Sequence, residues 1–332
     1  MARKKSRGYS GIGGQAVLEG IMMKNAEKYA VAVRKQNGEI VVEPENYQGI
    51  LHGSKIKEIP FVRGIFNFVD SMILGMRCLN YSASFYEEED PSQTGGGGKG
   101  DKLLTALVTC FSVALALGVF VVLPYYLASL FEGFVRNASL MAIIEGGIRI
   151  LIFILYVWGI SAMKDIRRLY RYHGAEHKCI NCIERGRPLT VNNVQHSSRL
   201  HRRCGTSFLF FVLFVSIILF FFIRVENPVE KVVLRILLMP VVAGISYEII
   251  QLAGRTNNIL VRIISAPGML IQRMTTKEPD KAMIEVAIAA VEAVFDWRTY
   301  LREFYGYEPD GNGSDDVQGR TSRLMREELE DI

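Results

Sequence analysis

The stretch LLTALVTCFSVALALGVFVVLPYYLASLF, residues 103–131, holds 29 consecutive positions without a charged side chain. The hydrocarbon core of a bilayer needs about 20 apolar residues per helix, so this run is long enough to cross. Three further apolar runs follow: 140–163, which carries Glu145 and Arg149; 207–223, rich in phenylalanine; and 232–252, which carries Arg235, Pro240 and Glu248. A length of 332 residues suits a soluble two-domain protein equally well. The 49% apolar content, however, is gathered into these runs instead of being spread at the periods of amphipathic helices and strands. The expected fold class is an α-helical polytopic membrane protein with about four transmembrane helices and a small N-terminal β-rich cytoplasmic region.

Basic residues beside membrane spans are retained on the cytoplasmic side. Residues 164–206, between the second and third runs, hold ten Lys/Arg against Asp165, Glu176 and Glu184, whereas 224–231 holds only Arg224 and Lys231. The 164–206 loop is therefore expected in the cytoplasm, together with both termini, in a multi-pass protein of the bacterial inner membrane. The opening MARKKSRG is basic, with no apolar core behind it, and does not read as a cleavable secretory signal. The net charge of +5 is small and lies beside the spans, where the partner it suits is the anionic headgroup surface of the bilayer. A second copy of the chain or another membrane protein also fits such an architecture. No basic stripe with interleaved aromatics and no nucleic-acid motif is present, so nucleic acid is not an expected partner.

Residues 1–60 form the β-rich region, with strands over 15–23 and 29–35 and a turn at Gln36-Asn37-Gly38 into 39–43. Over 61–86 the apolar positions Phe61, Ile65, Phe66, Val69, Met72, Ile73, Met76 and Leu79 recur at helical spacing, predicting an amphipathic helix lying on the membrane or on the spans. Residues 87–101, with an acidic cluster and four consecutive glycines, read as a flexible linker. The membrane domain then occupies 102–255, and a C-terminal helical segment 256–305. That segment comprises an apolar stretch broken at Pro267-Gly268 and one helix over about 279–305. An acidic, glycine-rich tail over 306–332 reads as disordered.

Four of the five histidines fall in the 164–206 loop, within RYHGAEHKCINCIERGRPLTVNNVQHSSRLHRRCGTSF, residues 171–208. A helix that continued past Gly174, at about 1 kcal/mol relative to Ala, would project His173, His177 and Glu184 within about 40° of one another. Two imidazoles one turn apart can share an ion. On the same wheel Cys179 and Cys182 point away and read as packing residues. His201 and Cys204 close the loop just before the third run. Imidazole and thiolate donors suit tetrahedral zinc, so His173, His177, His201 and Cys204 are the candidate ligands, with Glu184 in reserve. His196, alone among Gln and Ser, reads as an ordinary polar residue, and Cys78 and Cys110 as packing residues. Five cysteines with three on the reducing side do not form a disulfide framework.

His173-Gly-Ala-Glu176-His177 also fits the H-x-x-E-H form in which two His bind zinc and Glu is the general base. Glu176 is thus the candidate catalytic residue of a metal-dependent hydrolase. The other class left open is a transport, channel or scaffold protein, in which metal clamps the loop and Glu145, Arg149, Arg235 and Glu248 form pairs or a polar path. Arg149, four residues after Glu145, is placed to pair with it. The G-x-G-x-x-A string at Gly11 to Ala16 lacks the strand and helix of a dinucleotide site.

The segments GGQAVLEGIMMK, PFVRGIFNF, YHGAEHK, SRLHRRCGTSF, YEIIQLAGR and PGMLIQRMTTKEPD together resemble the YqhQ-like bacterial membrane proteins. The resemblance covers nearly the whole chain. It implies a multi-span inner-membrane protein with a metal site, described as a predicted metal-dependent enzyme, and carries over His173, Glu176, His177, His201 and Cys204. The family's second motif reads His-Pro-Arg-Cys, and here Arg202 replaces the proline.

Overall fold

The computed structural model describes residues 8–50, 53–55, 59–86, 99–201, 204–223, 225, 227–255 and 259–307. It is mostly helical, with a small N-terminal antiparallel sheet. Strands β1 (Ile12–Val17), β2 (Gly20–Asn25), β3 (Lys28–Arg34) and β4 (Ile40–Asn46) pair in sequence order. The expected single strand over 15–23 is in fact two, folded at Leu18 and Glu19 with Val17 opposite Gly20. Glu19 and Ala26 take positive φ at the first two turns, where no Asn-Gly step announces a hairpin. The Gln36-Asn37-Gly38 turn forms as expected, with Gly38 at φ 88° and the Asn37 carboxamide accepting the Glu39 amide.

Strand alternation sends side chains to both faces of this sheet, and both are covered. One face joins Ile12, Ile21, Met23, Ala30 and Ala32 to helices α5 (Lys164–Glu184) and α11 (Lys281–Val294). The other seats Val17, Met22, Val31 and Val33 on Leu74 and Cys78 of α1 (Val62–Ala83). α5 also runs antiparallel along β1, from the Ser10–Glu184 hydrogen bonds at one end to the Arg168–Glu19 ion pair at the other. α5 thereby flanks the β1 edge, one of the two edges of the sheet.

The remaining helices are α2 (Lys99–Leu117), which runs through a π-helical turn at Gly118–Val122 into α3 (Leu123–Ser129), then α4 (Ala138–Ser161), α6 (Val191–Gln195), α7 (Gly205–Phe221), α8 (Pro228–Leu237), α9 (Met239–Arg255), α10 (Ile259–Thr275) and α12 (Trp297–Tyr305). Among the described residues, Leu107–Ser129 and Ser139–Ser161 are each long and apolar enough to cross a membrane. A third crossing is available if Pro228–Leu237 and Met239–Leu252, bent by 43°, act as one. Gly205–Phe221 is apolar but shorter. Phe111, Leu115, Ile143, Leu155 and Trp158 turn outward from α2 and α4. Exposed apolar surface on that scale is what a lipid environment accommodates.

The amphipathic helix forms as α1, and Val69, Met72, Ile73 and Met76 are exposed along one side. Its start packs tightly on α9: a side chain at Gly64 would strike Tyr247 and one at Gly244 the Phe61 carbonyl, while Arg63 pairs with Glu248. The linker expectation falls mainly on residues outside the described ones, although 99–101 are the first turn of α2. α10 is unbroken, with Pro267 inside it, and the C-terminal helix is two. Its break falls at Phe295–Asp296, where the Asp296 carboxylate caps α12 by accepting the Thr299 amide. Gly306 and Tyr307, placed in the tail by sequence, close α12 and pack on Trp297, while 308–332 lie outside the described residues.

Candidate metal centre

α5 does continue through Gly174, and the structure shows why glycine stands there. A Cβ at Gly174 would overlap the Lys277 carbonyl oxygen. The backbone after α10 lies directly against the helix and donates the Lys277 amide to the Tyr170 carbonyl at 2.9 Å. That close approach delivers the Thr275 carbonyl to His173, whose Nδ1 lies 3.0 Å away. His177 Nδ1 lies 2.6 Å from the Arg199 carbonyl. A carbonyl only accepts, so both rings carry hydrogen on Nδ1 and turn Nε2 inward. Metal-binding imidazoles are oriented in this way.

Cys204 is the N-cap of α7, where its sulfur accepts the Thr206 amide. It stands with Sγ 3.1 Å from His173 Nε2. One donor atom each from His173, His177 and Cys204 falls within 4.8 Å of the others, and the two imidazole centroids are 4.4 Å apart. The middle of α5 and the start of α7 thus meet at one point.

Burial opposes charge on His173, yet the Cys204 sulfur beside it and their hydrogen bond lift its pKa to about 9. Burial likewise pushes the Cys204 thiol up, and His173 and His177 more than reverse it, holding the group well below its ordinary range. Cys204 is thus held as a thiolate, while the protonated His173 would have to release its Nε2 proton before that nitrogen could serve as a ligand. By contrast, burial raises Cys179 well above the ordinary thiol range and pushes Cys182 up to about 12. Both lie in the sheet-facing core, as their wheel positions predict. His196 is exposed and bonded to its own helix at Asn192. Cys78 is buried under the sheet, but Cys110 is exposed on α2.

Glu176 lies beside the cluster and is 4% exposed. Burial raises its pKa, while His177, His173 and the Gly14 amide of β1 oppose that rise. Its Oε2 is buried with no hydrogen-bond partner among the described residues. His201 and Glu184 are adjacent but not in the three-donor group. The His201 ring is 5.7 Å from that of His177 by centroids, and its Nε2 is 3.6 Å from Glu184 Oε2. Glu184 also accepts the Ser10 hydroxyl and amide, and the Gln272 carboxamide clamps the His201 backbone from both sides.

Sequence reasoning missed Gly14, Arg199, Gln272 and Thr275. Three of them act through main-chain atoms, which residue type does not reveal. Gln272 and Thr275 do lie in the PGMLIQRMTTKEPD segment, which carried the family resemblance without a role.

The chain matches the family described as "Protein of unknown function (DUF1385)" over residues 59–297. It is 34% identical over 286 residues to "Uncharacterized protein YqhQ" of Bacillus subtilis (strain 168), covering 83% of this chain and 89% of that protein. The chain belongs to this family. No solved structure matches it.

Proposed function

We propose that this protein is an integral protein of the bacterial inner membrane that carries a zinc centre at its cytoplasmic face and acts as a metal-dependent hydrolase. The observation that carries the reading is the convergence of His173, His177 and Cys204 donor atoms within 4.8 Å, beside a buried carboxylate oxygen without a partner on Glu176. The donor set fits zinc: two imidazoles fixed through Nδ1 and one thiolate are N and S ligands, which magnesium and calcium do not favour. Three protein ligands are the number found in catalytic zinc sites. When bound, zinc would supply a water of lowered pKa. The part of this chain's own residues is then definite. Thr275 and Arg199 hold the rings, the Gly14 amide holds Glu176, and the second Glu176 oxygen is placed to take a proton. His201 and Glu184 stand outside these ligands as a neighbouring polar pair.

The span assignment that goes with this reading is four crossings: Leu107–Ser129, α4, α7, and α8 with α9. A 17-residue α7 measures about 25 Å, so it serves as a crossing where Cys204 and the residues after Phe221 lie at the interfaces. The ten basic residues of 164–206 then face anionic headgroups, and both termini are cytoplasmic. The second reading is a structural metal clamp in a transport, channel or scaffold protein. It is favoured by the nearness of His201, which would complete four protein ligands on turning from Glu184. Zinc K-edge absorption spectroscopy separates the two. One sulfur, two imidazoles and one non-protein oxygen support the hydrolase reading, while three imidazoles and one sulfur contradict it.

A further inference from the structure

At the other end of α4 and α7, Glu145 serves two arginines at once. Arg149 Nη2 lies 2.7 Å from Glu145 Oε1, and Arg235 Nη2 donates to Oε2 at 2.7 Å. Arg235 Nη1 is 2.7 Å from Oε1 as an ion pair but makes no hydrogen bond. Arg149 and Arg235 are 3% and 2% exposed. Among the described buried side chains of this group, two guanidinium charges against one carboxylate leave a net +1. Donors are also in excess, since Arg149 Nε and Arg235 Nε are buried with no acceptor among the described residues, and Arg149 Nη1 reaches the Ser216 hydroxyl only at 3.4 Å.

The cations form a line. Arg149 and Arg235 stack on the Phe220 ring at 5.0 and 5.2 Å, Arg235 on Tyr125 at 5.5 Å, and Lys231 on Tyr125 at 5.2 Å. Lys231 is three residues and Arg235 seven residues into α8, or about 4 and 10 Å along its axis. The line therefore descends from the α7–α8 connection into the helices, at the face opposite the metal centre. Ionisable residues within spans pair with one another and mark substrate or ion pathways, and here the pairing leaves one cation over.

We propose that Lys231, Arg235 and Arg149 form an anion site at the outer face of the inner membrane, taking a phosphate oxyanion. Guanidinium forks match tetrahedral oxyanions geometrically, and one such group would supply both the missing charge and the missing acceptors. Its source is an anionic phospholipid headgroup or inorganic phosphate. The inference rests on the membrane-spanning reading and is independent of the metal reading.

The test uses full-length protein purified in detergent. Native mass spectrometry with equimolar phosphatidylglycerol and phosphatidylcholine measures lipid retention, and melting in sodium phosphate against sodium chloride at equal ionic strength measures the free ion. Wild type is expected to retain phosphatidylglycerol about tenfold over phosphatidylcholine, with Arg235→Gln reduced to parity. Lys231→Gln, at the accessible end of the line, guards against misfolding of that variant and should lose several-fold. Lipid preference without a phosphate effect assigns the headgroup, and a phosphate-specific rise in Tm assigns the free ion. Equal retention of both lipids with no phosphate-specific Tm shift overturns the site. Resistance to carbonate extraction reports separately on the spanning reading, and zinc content on the metal centre.

Discussion

His173 Nε2 lies 3.1 Å from Cys204 Sγ, across 31 positions of sequence. The first residue sits in the middle of the polar helix α5 and the second caps the apolar helix α7, so the cluster forms where the start of α7 meets the side of α5. The segment between the two helices contributes as well, since its Arg199 carbonyl orients His177, as the Thr275 carbonyl orients His173.

That relationship sets a pH dependence. His173 is held protonated up to about pH 9, chiefly by the Cys204 charge acting against burial. Cys204 is held as thiolate far lower. A metal must displace the His173 proton but none from Cys204, so affinity should rise with pH, roughly tenfold per unit, and level off near 9. Competition with a chromophoric chelator at several pH values between 6.5 and 9.5 measures this. A flat profile would show that His173 binds no metal.

Gly174 has the opposite character to a helix-breaking defect. Gly174→Ala, which usually improves a helix, should here destabilise by at least about 2 kcal/mol, because the added methyl meets a backbone carbonyl that cannot rotate away. Displacing Lys277 also withdraws the Thr275 carbonyl from His173, so zinc affinity should fall along with Tm. A variant as stable as wild type would mean that the segment after α10 does not sit where it is described.

Cys179→Ser, Cys182→Ser and His196→Ala separate neighbours from ligands. Both thiols are sealed in the sheet-facing core, so the serine variants should lose stability yet keep full zinc content. His196→Ala should change neither. Loss of zinc from a folded Cys179→Ser protein would move the centre to the other side of α5.

How much of this was legible in sequence depends on which atoms act. The i, i+4 spacing of His173 and His177 and the helix-end position of Cys204 were enough to place the cluster. The same wheel excluded Cys179 and Cys182. Glu184 shares their helix face, but seven residues of rise carry it to His201 and Ser10 instead. The Glu145–Arg149 pair was readable from spacing, whereas Arg235 joining it depends on helix packing. The first hairpin was missed because Glu19 takes a positive φ that its side chain does not advertise. Pro267 signals a break, yet α10 runs through it, while Asp296, an ordinary N-cap residue, marks the break that does occur.

Topology is testable with a single cysteine. Ser198 lies in the basic 164–206 segment close to the cluster, so Ser198→Cys should resist an impermeant maleimide applied to intact cells and react after permeabilisation. Strong labelling from outside would invert the arrangement and put the metal centre on the wrong face.

The most direct measurement is metal stoichiometry in protein purified without chelator, by inductively coupled plasma mass spectrometry. Wild type should carry about one zinc per chain, as a single three-ligand site holds one ion. His173→Ala, His177→Ala and Cys204→Ser should each lose most of it, whereas Glu176→Gln, which removes the base and not a ligand, should keep it. A folded wild-type protein without stoichiometric metal, or full zinc in all three ligand variants, would contradict the account.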